Sequence, residues 1–79
     1  MPKWLKCKID KGMFSDEFTV TVQSRSGENI AVFVPKQAVD DLKNLVRVNA
    51  FHEQGRTIAV LPDEHRSVVD VKDADIHPA

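Results

Sequence analysis

Two stretches of the chain follow one hairpin pattern, and no other feature narrows the fold as much. Residues 18–34 form an alternating strand, a polar loop ending in Gly27, and a second alternating strand; residues 46–61 repeat this around Gly55. Period-two alternation broken by a short Gly-bearing polar loop marks an antiparallel β-hairpin. A three-residue loop of Arg25, Ser26 and Gly27, with Gly27 left-handed in a bulge, pairs Val22 with Ile30, Val20 with Val32 and Phe18 with Val34. A slip of one residue would set apolar side chains opposite polar ones. The same loop assigned to Glu53, Gln54 and Gly55 pairs Ala50 with Ile58 and Val48 with Val60. Both glycines are thus expected at positive φ. Val20, Val32, Val48 and Val60 are expected at the centre of the core.

Residues 4–9 alternate as a first strand, with Leu5, Cys7 and Ile9 on one face and Trp4, Lys6 and Lys8 on the other. A loop follows over residues 10–16, containing Gly12, Met13 and Phe14. Between the hairpins, Val39, Leu42 and Val46 fall at i, i+3 and i+7. Pro35 suits a first helical turn and Asn44 a left-handed end, so two turns of helix are expected over residues 35–44. Residues 68–71 read as a last strand, and residues 73–76 as a 3₁₀ turn with Ile76 tucked inward.

The expected fold is therefore all-β: two similar hairpins joined by one short helix in a small barrel of five or six strands, one domain over residues 1–79. An SH3-like barrel suits the strand lengths, the long first loop and the late 3₁₀ turn. An OB-like barrel is the alternative, because it places a helix between its third and fourth strands. These barrels serve many unrelated functions, so the fold by itself names none.

The charge balance argues against a general attraction to polyanions, with 11 basic and 12 acidic residues and a net charge of −1. Its distribution is uneven. Residues 1–12 carry Lys3, Lys6, Lys8 and Lys11 against Asp10, a net of +3. Residues 63–79 carry Arg66 and Lys72 against Asp63, Glu64, Asp70, Asp73 and Asp75, a net of −3. Neighbouring first and last strands, with Lys6 or Lys8 near Asp70 or Asp73, would neutralise both ends. One cysteine allows no internal disulfide, and no apolar run reaches membrane-spanning length. A cytoplasmic protein with no membrane contact is the expectation.

No catalytic motif emerges. His52, His65 and His77 are 13 and 12 residues apart, without metal-ligand spacing, and no phosphate loop or nucleophile elbow is present. Cys7, between Leu5 and Ile9, reads as a small core residue. No cofactor, no metal and no enzymatic activity are expected. The candidate binding residues are Trp4, Lys6 and Lys8 on the first strand, Met13 and Phe14 in the first loop, and Phe33 and Phe51 on the outer face of the hairpins, where Leu61 is also expected. They suggest a binding or assembly module that contacts a protein partner or its own copy. RNA or single-stranded DNA stacking on Trp4 among lysines is one alternative. A site assembled at an oligomer interface around His52 or His65 is another.

Overall fold

A computed structural model describes residues 2–78. Nine strands run in chain order: β1 (Pro2–Lys6), β2 (Lys8–Lys11), β3 (Glu17–Gln23), β4 (Asn29–Pro35), β5 (Val39–Asp40), β6 (Leu45–Glu53), β7 (Arg56–Val60), β8 (Val68–Val71) and β9 (Ile76–Pro78). The larger sheet has the order β8-β7-β6-β1-β9, with β5 beside the start of β6; the smaller has the order β2-β3-β4. All pairings are antiparallel. The chain is a small all-β domain of two antiparallel sheets, and among the described residues the sheets do not join into a closed barrel.

The first hairpin has the expected register, with Val22 on Ile30, Val20 on Val32 and Phe18 on Val34. The Ser24 N–H donates to the Glu28 carbonyl at 2.8 Å and the Gly27 N–H to the Ser24 carbonyl at 3.0 Å, closing the three-residue loop. Gly27 has φ 95°.

The second hairpin departs by one residue. Glu53 pairs with Arg56, His52 with Thr57, Phe51 with Ile58 and Ala50 with Ala59. The loop is therefore the two residues Gln54 and Gly55, at φ 51° and 77°. Two successive positive φ values make a type I′ turn, whose twist matches that of the flanking strands. The slip exchanges the two faces of β7. Thr57, Ala59 and Leu61 turn inward, while Ile58 and Val60 face outward. Val60 is thus no core centre. Val20 and Val48 are buried as expected, and Val32 is half-buried against the core. A methyl at Gly55 would meet no atom within 4 Å, so Gly55→Ala is expected to lose only the conformational term, about 1 kcal/mol. The denaturant midpoint reads this directly.

The helix expected over residues 35–44 does not form. A 3₁₀ turn spans Lys36–Ala38, and Val39 is already extended at φ −126°. The Asp40 carboxylate accepts the N–H groups of Leu42 and Lys43, both at 3.2 Å. This local turn competes with helical hydrogen bonding. Leu42 is 92% exposed, so the apolar i, i+3, i+7 pattern was no buried face. Asn44 is left-handed, at φ 57°, as its residue type favours.

The expected first strand divides at Cys7. β1 belongs to the larger sheet and β2 to the smaller, so the chain crosses between sheets there, and the Cys7 N–H donates to the Asn44 carbonyl at 3.0 Å. The core lies between the sheets: Leu5, Cys7, Val20, Val22, Val34, Val46, Val48, Ala59, Leu61, Val69 and Val71. The 3₁₀ turn at Asp73–Asp75 forms, and Ile76 packs on this core from a strand missing from the sequence reading, β9. β1 lies between β6 and β9, so the late strand beside it is β9 rather than β8. Asp70 lies 3.8 Å from Arg56, and Asp73 accepts the Thr57 hydroxyl. Of the acidic residues, Asp75 shares a cleft with Lys6 and Lys8.

Candidate functional site

The seven candidate residues occupy three places. Met13, Phe14 and Phe33 come together. Phe33 is on the outer face of β4, opposite Thr19. The loop after β2 turns back at Gly12 and brings Met13 and Phe14 to the same groove, with Val34, Pro35 and Pro62 along it. Asp16, Glu17, Asp63 and Glu64 also line it. Asp63 is already engaged, because its carboxylate accepts the Ser67 N–H at 2.8 Å and hydroxyl at 2.6 Å. Met13 is 79%, Phe14 67% and Phe33 48% exposed. On the far side of the loop, Lys11 and Lys36 line a second groove, and Lys36 sits 5.3 Å from the centre of the Phe18 ring.

Trp4, Lys6 and Phe51 lie on the outer face of the larger sheet. Trp4 is half-buried, opposite Arg47 on β6 and His77 on β9. Phe51 lies opposite Ile58, which lies opposite Asp70, and the next row outward on this face is Asn49, Val60 and Val68. Phe51 is 45% and Val68 64% exposed, with Ile58 and Val60 half-buried between them. The one-residue slip of the second hairpin creates this apolar face. Ile58 and Val60 were expected in the core, with Phe51 and Leu61 on the outer face; the slip instead buries Leu61, 1% exposed, and turns Ile58 and Val60 outward beside Phe51. Antiparallel sheets ordinarily turn polar residues outward, which makes a four-residue apolar patch informative.

Lys8 is on the smaller sheet, on the outer face of β2 opposite Thr21, and lines one cleft with Lys6 and Asp75. Beside it, Cys7 is buried, and burial pushes its thiol up from 9.0 to about 11. Little thiolate is present at neutral pH, and the thiol acts as a core side chain rather than a nucleophile.

One polar cluster was not anticipated. The buried Thr57 hydroxyl donates to Asp73 Oδ1 and lies 3.2 Å from His52 Nδ1. It ties the second hairpin to the 3₁₀ turn before β9. His52 and Asp73 are exposed, and with Lys3 and Phe51 they line a cleft beside β9. His65 lies on the loop between β7 and β8 and does not line this cleft. Among the described residues, no three His, Cys, Asp or Glu side chains gather as a metal site requires.

The two sheets leave a seam between β4 and β8. At one end, Ser24, Arg25, Ser26, Glu28 and Ile30 face Val68, Val69 and Asp70 across a cleft of about 560 Å³. The Arg25 N–H donates to the Asp70 carbonyl at 2.7 Å, and Asp70 Oδ1 is buried there without a hydrogen-bond partner. Comparison with protein-family models, with curated proteins and with solved structures finds no match to this chain.

Proposed function

We propose that this chain is a binding and assembly module that works through contact with protein, including its own copy. The observation that carries this reading is the quantity of apolar side chain in water. Phe51, Ile58, Val60 and Val68 form a patch on the outer face of the larger sheet, and Met13, Phe14 and Phe33 gather in one groove. A domain this small has a thin core, and leaving large apolar residues outside it is unfavourable unless another surface covers them. We read the architecture as an opened barrel of the SH3-like kind. The long first loop and the 3₁₀ turn at Asp73–Asp75 support it, and the OB-like alternative loses the helix it relied on.

Light scattering across a wide range of concentrations tests the reading. Concentration-dependent association is expected, weakened by Phe51→Ser with Val68→Ser or by Phe14→Ser with Phe33→Ser. A second reading, single-stranded nucleic acid, draws support from Arg47 and His77 beside Trp4, a basic and aromatic grouping on one face. A chain monomeric throughout, whose Trp4 fluorescence is quenched by oligonucleotide in a salt-sensitive way, would overturn the assembly reading in favour of this one.

A further inference from the structure

We infer that β4 is an association edge, and that two copies of this chain pair their β4 strands antiparallel about a two-fold axis at Val32. The two three-stranded sheets would then form one continuous six-stranded sheet. The inference rests on the assembly reading above and names the surface and the partner.

Exposed sheet edges invite another strand, and soluble proteins protect them by shortness, charge, proline or cover. β5 has two residues and β9 three, ending in Pro78. β2 carries Lys8, Asp10 and Lys11 in four residues. β8 also has four, carries Asp70, and has the Asp70 carbonyl occupied by Arg25. β4 is the exception. It is seven residues long, Asn29–Pro35, without a charge, and among the described residues it pairs with β3 alone.

Its free hydrogen-bonding groups follow from the hairpin. The Glu28 carbonyl accepts from Ser24, and at the other end the Lys36 N–H donates to the Asp16 carbonyl. Antiparallel pairs alternate between bonded and non-bonded. Ile30, Val32 and Val34 therefore bond to β3, while Asn29, Ala31 and Phe33 direct their N–H and C=O groups to the open edge.

The strand is complementary to itself in one register. Centred on Val32, Ala31 of each copy meets Phe33 of the other and exchanges both hydrogen bonds, and Asn29 donates to the carbonyl of Pro35. Glu28, exposed, then stands opposite the exposed Lys36 of the second copy, once on each side of the axis. No like charges oppose each other. Centring on Phe33 sets Ala31 opposite Pro35, which has no N–H to give, and centring on Ala31 separates Glu28 from Lys36. A one-residue slip opposes outer-face to core-face side chains. In the favoured register the two Phe33 rings are diagonal neighbours, within reach of each other. Met13 and Phe14, which share the groove with Phe33, lie at the margin of the contact.

Three measurements on the full chain test this. In the wild type, amide exchange at Ala31 and Phe33 should slow as concentration rises and the dimer forms. Phe33→Lys should weaken the dimer about tenfold or more, with the folded spectrum retained. Glu28→Lys and Lys36→Glu should each weaken it several-fold, as like charges oppose, and the double variant should restore it. A chain monomeric at every concentration overturns both the inference and the self-association reading. A dimer broken by Phe51→Ser with Val68→Ser, yet indifferent to Phe33→Lys and without protection at Ala31 and Phe33, overturns the inference alone. Protection by an added extended peptide, without dimerisation, also overturns it, since the edge would then serve a different strand.

Discussion

Leu5→Ala is expected to lower stability by about 2–5 kcal/mol, the range for deleting a fully buried leucine side chain. Leu5 is 1% exposed and lies on β1 between Val46 on β6 and Ile76 on β9, so three strands pack through it. β1 is the strand that joins β9 to the rest of the larger sheet. The side chain cannot be replaced from outside, because its neighbours on β1, Trp4 and Lys6, face the other way. Small domains hold on the order of 5–15 kcal/mol in total, so the variant should show a much lower denaturant midpoint and early loss of β9. A change below about 1 kcal/mol would mean that the core closes without β1.

Gly12→Ala is expected to destabilise by about 1–3 kcal/mol, the range for forcing extra volume into a packed site. Its Cβ would stand 2.6 Å from the Glu17 carbonyl oxygen and 2.9 Å from the Glu17 carbonyl carbon. These are backbone atoms at the start of β3, so no side-chain rotation relieves the clash. The loop that carries Met13 and Phe14 has to move instead. The variant should therefore lose stability and alter whatever the groove binds, whereas Gly55→Ala loses stability alone. Equal behaviour of the two variants in a binding assay would separate the loop from the contact surface.

How far the sequence could be read depended on whether the two faces of each strand differ. In the first hairpin they do. Phe18, Val20, Val22, Ile30, Val32 and Val34 share one face and polar residues dominate the other, so only one register works, and the structure has it. In the second they do not. β7 and the residue after it offer Ile58 and Val60 on one side and Thr57, Ala59 and Leu61 on the other, and either set can be buried. The turn then decides, and a glycine at its end serves both the three-residue bulge and the two-residue type I′ loop. Gln54 at positive φ selects the shorter one, which nothing in its residue type announces. The helix failed for a related reason. Three spaced apolar positions outweighed Asp40, whose carboxylate captures the next turn.

The candidate site was legible in the same measure. Exposure of Met13, Phe14, Phe33 and Phe51 followed from alternation and loop position, and the structure agrees. The grouping of Met13 and Phe14 with Phe33, and of Arg47 and His77 with Trp4, depends on contacts between distant segments. Ile58, Val60 and Val68 as a surface could not be seen without the correct register.

The place of β1 has a consequence for how the chain acquires its structure in time. β2, β3 and β4 are consecutive and can assemble locally, soon after residue 35 is available. β1 cannot follow, although it is made first. Its partners are residues 45–49 on one side and 76–78 on the other, so two long loops must close before it is held. Closure of that kind slows folding, and strands awaiting distant partners are prone to meet the wrong ones. During that interval the uncharged β4 is already a formed edge, so encounters between unfinished chains are a hazard of synthesis at high concentration. A slow refolding phase that Leu5→Ala lengthens, with the β2–β4 meander protected before it, is the kinetic signature expected of this topology.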